Sequence, residues 1–104
     1  MFGRKKKRRG AEVRLALLDR NGSAILVCPV GEYDLPEKTV IALSTEYFDD
    51  PEPCDIHRSA VHRRAMMELM ELCPSGTTAS VADLPAAMRA WFPPQTAAVR
   101  ISEE

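Results

Sequence analysis

The chain has 104 residues, of which 45% are hydrophobic and 28% charged. That length supplies one core rather than two, and the composition excludes collagen-like, disulfide-dense and wholly disordered chains. The net charge of −1 hides an asymmetry. Arg4, Lys5, Lys6, Lys7, Arg8 and Arg9 form a +6 run, while residues 11–104 set eight basic against fifteen acidic residues, a net of −7.

Six adjacent like charges repel one another, so residues 1–10 are expected to be a disordered arm ahead of a single domain over 11–104. The partners expected for such an arm are polyanions, either nucleic acid or an anionic membrane surface. The acidic stretch of the body (Glu46, Asp49, Asp50, Glu52 and Asp55) is a third candidate. The arm lacks the apolar region of a signal peptide, and Gly3 sits one place too late for myristoylation. Cys28, Cys54 and Cys73 are odd in number and form no Cys-x-x-Cys pair. Reduced thiols in a cytoplasmic protein are the expectation. No apolar run reaches the roughly 20 residues of a membrane span.

Two strands are expected over residues 11–30. Val13, Leu15 and Leu17 alternate with Arg14, Ala16 and Leu18, and Ala24 to Cys28 forms a second apolar run. Asn21-Gly22 between them is a hairpin signal. A type I′ turn sets Leu17 opposite Leu26 and Leu18 opposite Ile25; a type I turn with Gly22 in a bulge fits the same residues. Both faces of the hairpin are apolar near the turn, so further structure must cover it.

Pro36 reads as the first helical residue of a segment lined by Val40, Ile41, Leu43, Tyr47 and Phe48. Thr39-Val40-Ile41 also suits a strand, and helix is favoured for 36–48. Asp49-Asp50-Pro51-Glu52-Pro53 ends it. Residues 55–73 form the clearest helix, with Asp55 as its cap. Its polar stripe holds His57, Arg64, Glu68 and Glu71. Ile56, Ala60, Met67 and Met70 lie on one side, and Val61, Ala65, Leu69 and Leu72 on another. A helix with so much apolar surface is wrapped by other elements or meets a partner. A shorter helix is expected over 80–92, with Ser80 and Asp83 as a capping box, or Asp83 before Leu84-Pro85 as an alternative start, and Leu84, Met88 and Trp91 on one face. Thr96 to Ser102 reads as a last strand.

The expected architecture is therefore α+β: an N-terminal hairpin and a C-terminal strand packed on a long central helix, with one or two shorter helices. Ten Arg against four Lys, with 13 Ala, point to a GC-rich bacterial gene.

Chemistry-bearing motifs are few. Cys54-x-x-His57 is the one close pair of zinc-type ligands, with Asp49, Asp50, Glu52 and Asp55 near enough in sequence to complete a site. Structural zinc sites use two such pairs. His62 lies about 140° around the helix from His57, and Cys73 roughly 16 Å farther along the axis, so neither joins His57 within one chain. As a nucleophile pair, Cys54 and His57 lack an orienting third group and oxyanion donors. No phosphate-binding loop, dinucleotide fingerprint or nucleophile elbow is present. Met66, Met67 and Met70 suit core packing, and secondarily an adaptable surface for homodimerisation through helix 55–73.

The arm over Gly3 to Gly10 resembles nuclear-import signals and arginine-rich RNA-binding peptides, which implies contact with polyanions. The rhythm of Ala65 to Met88 resembles the first two helices of a winged-helix or helix-turn-helix domain, but Pro93-Pro94 stands where a recognition helix should follow. The functional expectation is a non-enzymatic binding or adaptor domain with no cofactor. Its body contacts protein, and Arg4 to Arg9 contact a polyanion. The alternatives are a zinc domain using Cys54 and His57, or an enzyme with no readable motif.

Overall fold

The turn after the first strand sets the register of the sheet. In the computed structural model, which describes residues 12–103, β1 (Val13–Leu18) and β2 (Ala24–Pro29) form an antiparallel hairpin. Gly22 has φ 83°, but Asn21 has no positive φ, so the turn is type I with a glycine bulge rather than type I′. The Gly22 N–H donates to the Asp19 carbonyl at 2.9 Å. Oδ1 of Asp19 accepts from the N–H groups of Asn21 and Ser23. Leu17 faces Leu26 as expected, whereas Leu18 faces Ala24 and not Ile25. The glycine bulge moves the register by one residue, and a second irregularity at Ile25 restores it.

β4 (Ala98–Glu103) pairs with the free edge of β1, and β3 (Thr77–Ser80) pairs with β4. The sheet order is β2-β1-β4-β3, antiparallel throughout. Leu15, Leu17, Val99 and Ile101 point to one face and are fully buried. The last strand starts at Ala98 instead of Thr96, and its inward alternation is the one expected.

Helices cover that face. α1 (Glu37–Phe48) confirms helix over strand for this segment. Pro36 is not its first helical residue, because its ψ of 143° is extended and it stands just before the helix. Thr39 and Ser44 are buried on α1, whereas Ile41 is exposed. α2 (Asp55–Leu72) is the long helix. Cys54, with extended backbone, occupies the N-cap position expected for Asp55. Asp55 lies in the first turn, where its charge favours the helix dipole. Of the two apolar flanks, Val61, Ala65 and Leu69 are buried together with Met66. Ile56 and Met67 are exposed, and so is Leu72. The methionines thus divide between core (Met66), its edge (Met70) and surface (Met67).

The helix expected over 80–92 does not form. Thr77–Ser80 is a strand, Val81–Asp83 a 3-10 turn, and α3 (Ala86–Arg89) a single helical turn. Pro85 drives Leu84 to an extended ψ of 157°, so neither Ser80 nor Asp83 caps a helix that runs on. With no second helix, the helix-turn-helix resemblance is lost. Leu84, Met88 and Trp91 still enter the core, joined by Phe92. Tyr33 closes this end by donating its hydroxyl to the Trp91 carbonyl at 2.7 Å. Burial pushes its pKa up to about 12. No helix among the described residues is long and apolar enough to cross a membrane.

Candidate functional site

The connection between α1 and α2 gathers the donor atoms that the sequence leaves scattered. α1 ends at Asp49, which adopts the left-handed conformation (φ 55°, ψ 38°) and donates its N–H to the Thr45 carbonyl at 2.9 Å. An aspartate tolerates this conformation better than most side chains. The reversal turns Asp50 back toward α2, and Pro51 and Pro53 bar any continuation of the helix. Oδ1 of Asp50 then accepts from the Glu52 N–H at 3.2 Å.

His57 lies in the first turn of α2 and donates from Nδ1 to Oδ2 of Asp50 at 2.6 Å. That bond is the main reason the Asp50 carboxyl is held below the usual carboxylate range. The imidazole also stacks on Phe48, with centroids 4.4 Å apart and planes 8° from parallel. Stacking and hydrogen bond together fix the plane of the ring. Cys54, exposed at the N-cap, completes the group: one donor atom each from Asp50, Cys54 and His57 lies within 4.8 Å of the others. The sequence pair Cys54 and His57 is therefore real in space. Asp50, one of four equally near carboxylates in the sequence, is the third member. Asp49, Glu52 and Asp55 are outside the group.

The neighbourhood is braced by ion pairs. Arg58 reaches Glu37 through two bonds of 2.9 and 2.6 Å and donates from Nε to the Pro53 carbonyl. Glu37 is held below its usual range by that guanidinium. Arg64 lies 3.8 Å over the Tyr47 ring, and the Tyr47 hydroxyl donates to Glu68 at 3.3 Å. Burial first, then the Glu68 charge, push the Tyr47 hydroxyl up to about 12.

The remaining thiols are placed differently. Cys73 is fully buried beneath the sheet, with Sγ 3.5 Å from the carbonyl oxygens of Thr77 and Val99. Cys28 is half-buried on β2, where burial pushes its thiol up. His62, as expected, stands apart from His57. It lines an open groove of about 870 Å³ between residues 30–35 and the helices, floored by Val30, Met66 and Met70 and flanked by Arg63. The basic residues at 4–9 lie outside the described residues.

Strand positions on the other face of the sheet carry Arg14, Ala16, Leu18, Val27, Pro29, Thr78, Ser80, Ala98, Arg100 and Ser102. Leu18 is buried there, Val27, Thr78, Ser80 and Arg100 are exposed, and Arg14 pairs with Glu12 at 3.4 Å. Arg14 lies opposite Ser102, and Arg100 lies opposite both Ala16 and Thr78. Comparison with family models, with curated proteins and with solved structures finds no significant match to this chain.

Proposed function

We propose that this protein is a small binding module that holds a polyanion through its basic arm and sheet face, and a protein partner through α2. The observation that supports the reading is the segregation of charge. Carboxylates crowd the helices and their connections, while the charged strand positions on the outer face of the sheet are Arg14, paired with Glu12, and Arg100, with the hydroxyls of Thr78, Ser80 and Ser102 beside them. Arg4 to Arg9 join that sheet through only Gly10, Ala11 and Glu12 before β1. Arginines and hydroxyls are the groups that contact phosphate and sugar, which favours nucleic acid over a membrane surface. Each phosphate contact adds about −0.9 to the slope of log affinity against log salt on duplex DNA. For protein, the exposed flank of Ile56 and Met67 offers apolar contact, to another chain or to a second copy. The free thiols of Cys28, Cys54 and Cys73 accord with a reducing compartment, and the cytoplasm is the proposed location.

The test compares the full-length protein with a variant carrying glutamine at all of positions 4–9. A second variant carries Arg14→Gln and Arg100→Gln. Each is titrated with duplex DNA, RNA and anionic vesicles at low and physiological salt. The expected result is salt-sensitive nucleic-acid binding that is lost in the first variant and weakened, with a shallower salt slope, in the second. Binding to none of the three at low salt would refute the reading. Binding to vesicles alone would transfer it to the membrane surface.

A further inference from the structure

We propose that Asp50, Cys54 and His57 form a zinc site with three protein ligands and a fourth position open to solvent. The inference is independent of polyanion binding. It rests on three donors of the right chemistry meeting at one place: a carboxylate, a thiol and an imidazole within 4.8 Å of one another. Zinc binds these donors at about 2.0–2.3 Å in a tetrahedron. Neighbouring ligands then sit roughly 3.4 Å apart, so Asp50 and His57, now 2.6 Å apart, must open by under about 1 Å while Cys54 closes in from within 4.8 Å.

The adjustment falls on side chains free to make it. The ion replaces the hydrogen bond between Asp50 and His57, while Phe48 keeps the imidazole plane. Cys54 is exposed, so its thiol can move toward them. On binding, the Cys54 S–H loses its proton to solvent and the thiolate ligates the metal. The imidazole N–H shifts to Nε2, which frees the Nδ1 lone pair that now points at Asp50. One proton is released, and one thiolate and one carboxylate balance the two charges of the ion. The positive end of the α2 dipole opposes a cation, and the two anionic ligands offset it. Arg58, next to His57 in the chain, is engaged by Glu37. A thiolate with an imidazole selects zinc over magnesium or calcium, which prefer all-oxygen shells. Three protein ligands plus solvent is the coordination of an exchangeable or reactive zinc, and not of a closed structural one. The core is complete without it, as Leu15, Leu69, Val99 and Ile101 are fully buried and none of the three donors belongs to their cluster.

The experiment uses the full-length reduced protein, treated with chelator and then titrated with zinc by calorimetry and with cobalt(II) by absorption. One equivalent should bind, release one proton, raise the melting temperature and give a thiolate-to-cobalt charge-transfer band. Cys54→Ser should abolish the band and weaken zinc by more than about tenfold. His57→Gln should do the same to the affinity, while Cys28→Ser leaves both unchanged. Absence of heat and of the cobalt band in the wild-type protein would overturn the proposal. So would a band that survives Cys54→Ser, or one zinc per two chains. Magnesium competing equally with zinc would also overturn it.

Discussion

Truncating Leu69 to alanine tests whether α2 is the element on which the sheet is built. Leu69 has no exposed surface and belongs to the cluster that joins Leu15, Leu17, Val99 and Ile101. The substitution removes three carbons, worth about 0.8 kcal/mol each, or roughly 2.4 kcal/mol of transfer free energy. The cavity left behind adds to this, and the total should fall within about 2–5 kcal/mol. For a domain of this size each kcal/mol moves the melting temperature by about 4–8 °C. A loss of 3 kcal/mol then lowers it by roughly 12–24 °C. The control lies on the same helix: Ile56 is 77% exposed, and Ile56→Ala should change stability by no more than about 0.5 kcal/mol. Urea unfolding of both variants, with the m-value checked for constancy, measures the two numbers on one scale. A Leu69→Ala loss below about 1 kcal/mol would refute the placement of α2 against the sheet. A large loss from Ile56→Ala would show that this flank is covered in solution.

Three further outcomes are expected. Tyr33→Phe should cost about 1–3 kcal/mol in chemical denaturation, because it leaves the Trp91 carbonyl unpaired in the core. A change near zero would mean that water reaches that carbonyl. Gly22 and Gly31 both have open space where a Cβ would stand, and differ in that Gly22 has φ 83°. Gly22→Ala should therefore destabilise by about 1 kcal/mol or more, while Gly31→Ala is neutral or stabilising by up to about 1 kcal/mol. Equal effects would contradict the left-handed backbone at Gly22. Asp50 is held below its usual range, so its bond to His57 stabilises the fold above the unfolded carboxyl value near 3.9, and this is lost as acid titrates the folded group. Thermal melts of wild type and Asp50→Asn should differ at neutral pH and converge below about pH 4. A gap that persists in strong acid would place the stabilisation elsewhere.

The elements legible in the sequence are those whose causes are local. Asn21-Gly22 marks a turn by itself, and the Val61, Ala65, Leu69 spacing marks a buried helix face. What the hairpin signal leaves open is the register near the turn, because the shift at Ile25 lies outside the turn residues that carry the signal. β3 is illegible in the sequence for a related reason. Thr77–Ser80 has only four residues, and its strand character comes from β4, which is distant in sequence. The capping pattern at Ser80 was a local signal overridden by Pro85. In the site, Cys54 and His57 were readable from helical spacing. Asp50 was not distinguishable from Asp49, Glu52 and Asp55, since the choice among them is made by the left-handed turn at Asp49. That turn has no glycine to announce it.

The pairing of β1 with β4 has a consequence for how the molecule is made. The two central strands of the sheet lie at opposite ends of the described residues, with Val13 opposite Glu103. During synthesis the hairpin leaves the ribosome early, but one flank of β1 stays open until β4 emerges. The apolar inner faces of the hairpin and of α2 must wait together for β4, so folding is held back until that strand is made and depends on long-range closure. The same adjacency makes the order of elements dispensable. A short linker from Glu103 back to Val13, with the chain reopened in the Asp19–Ser23 turn, would preserve the sheet while removing that wait.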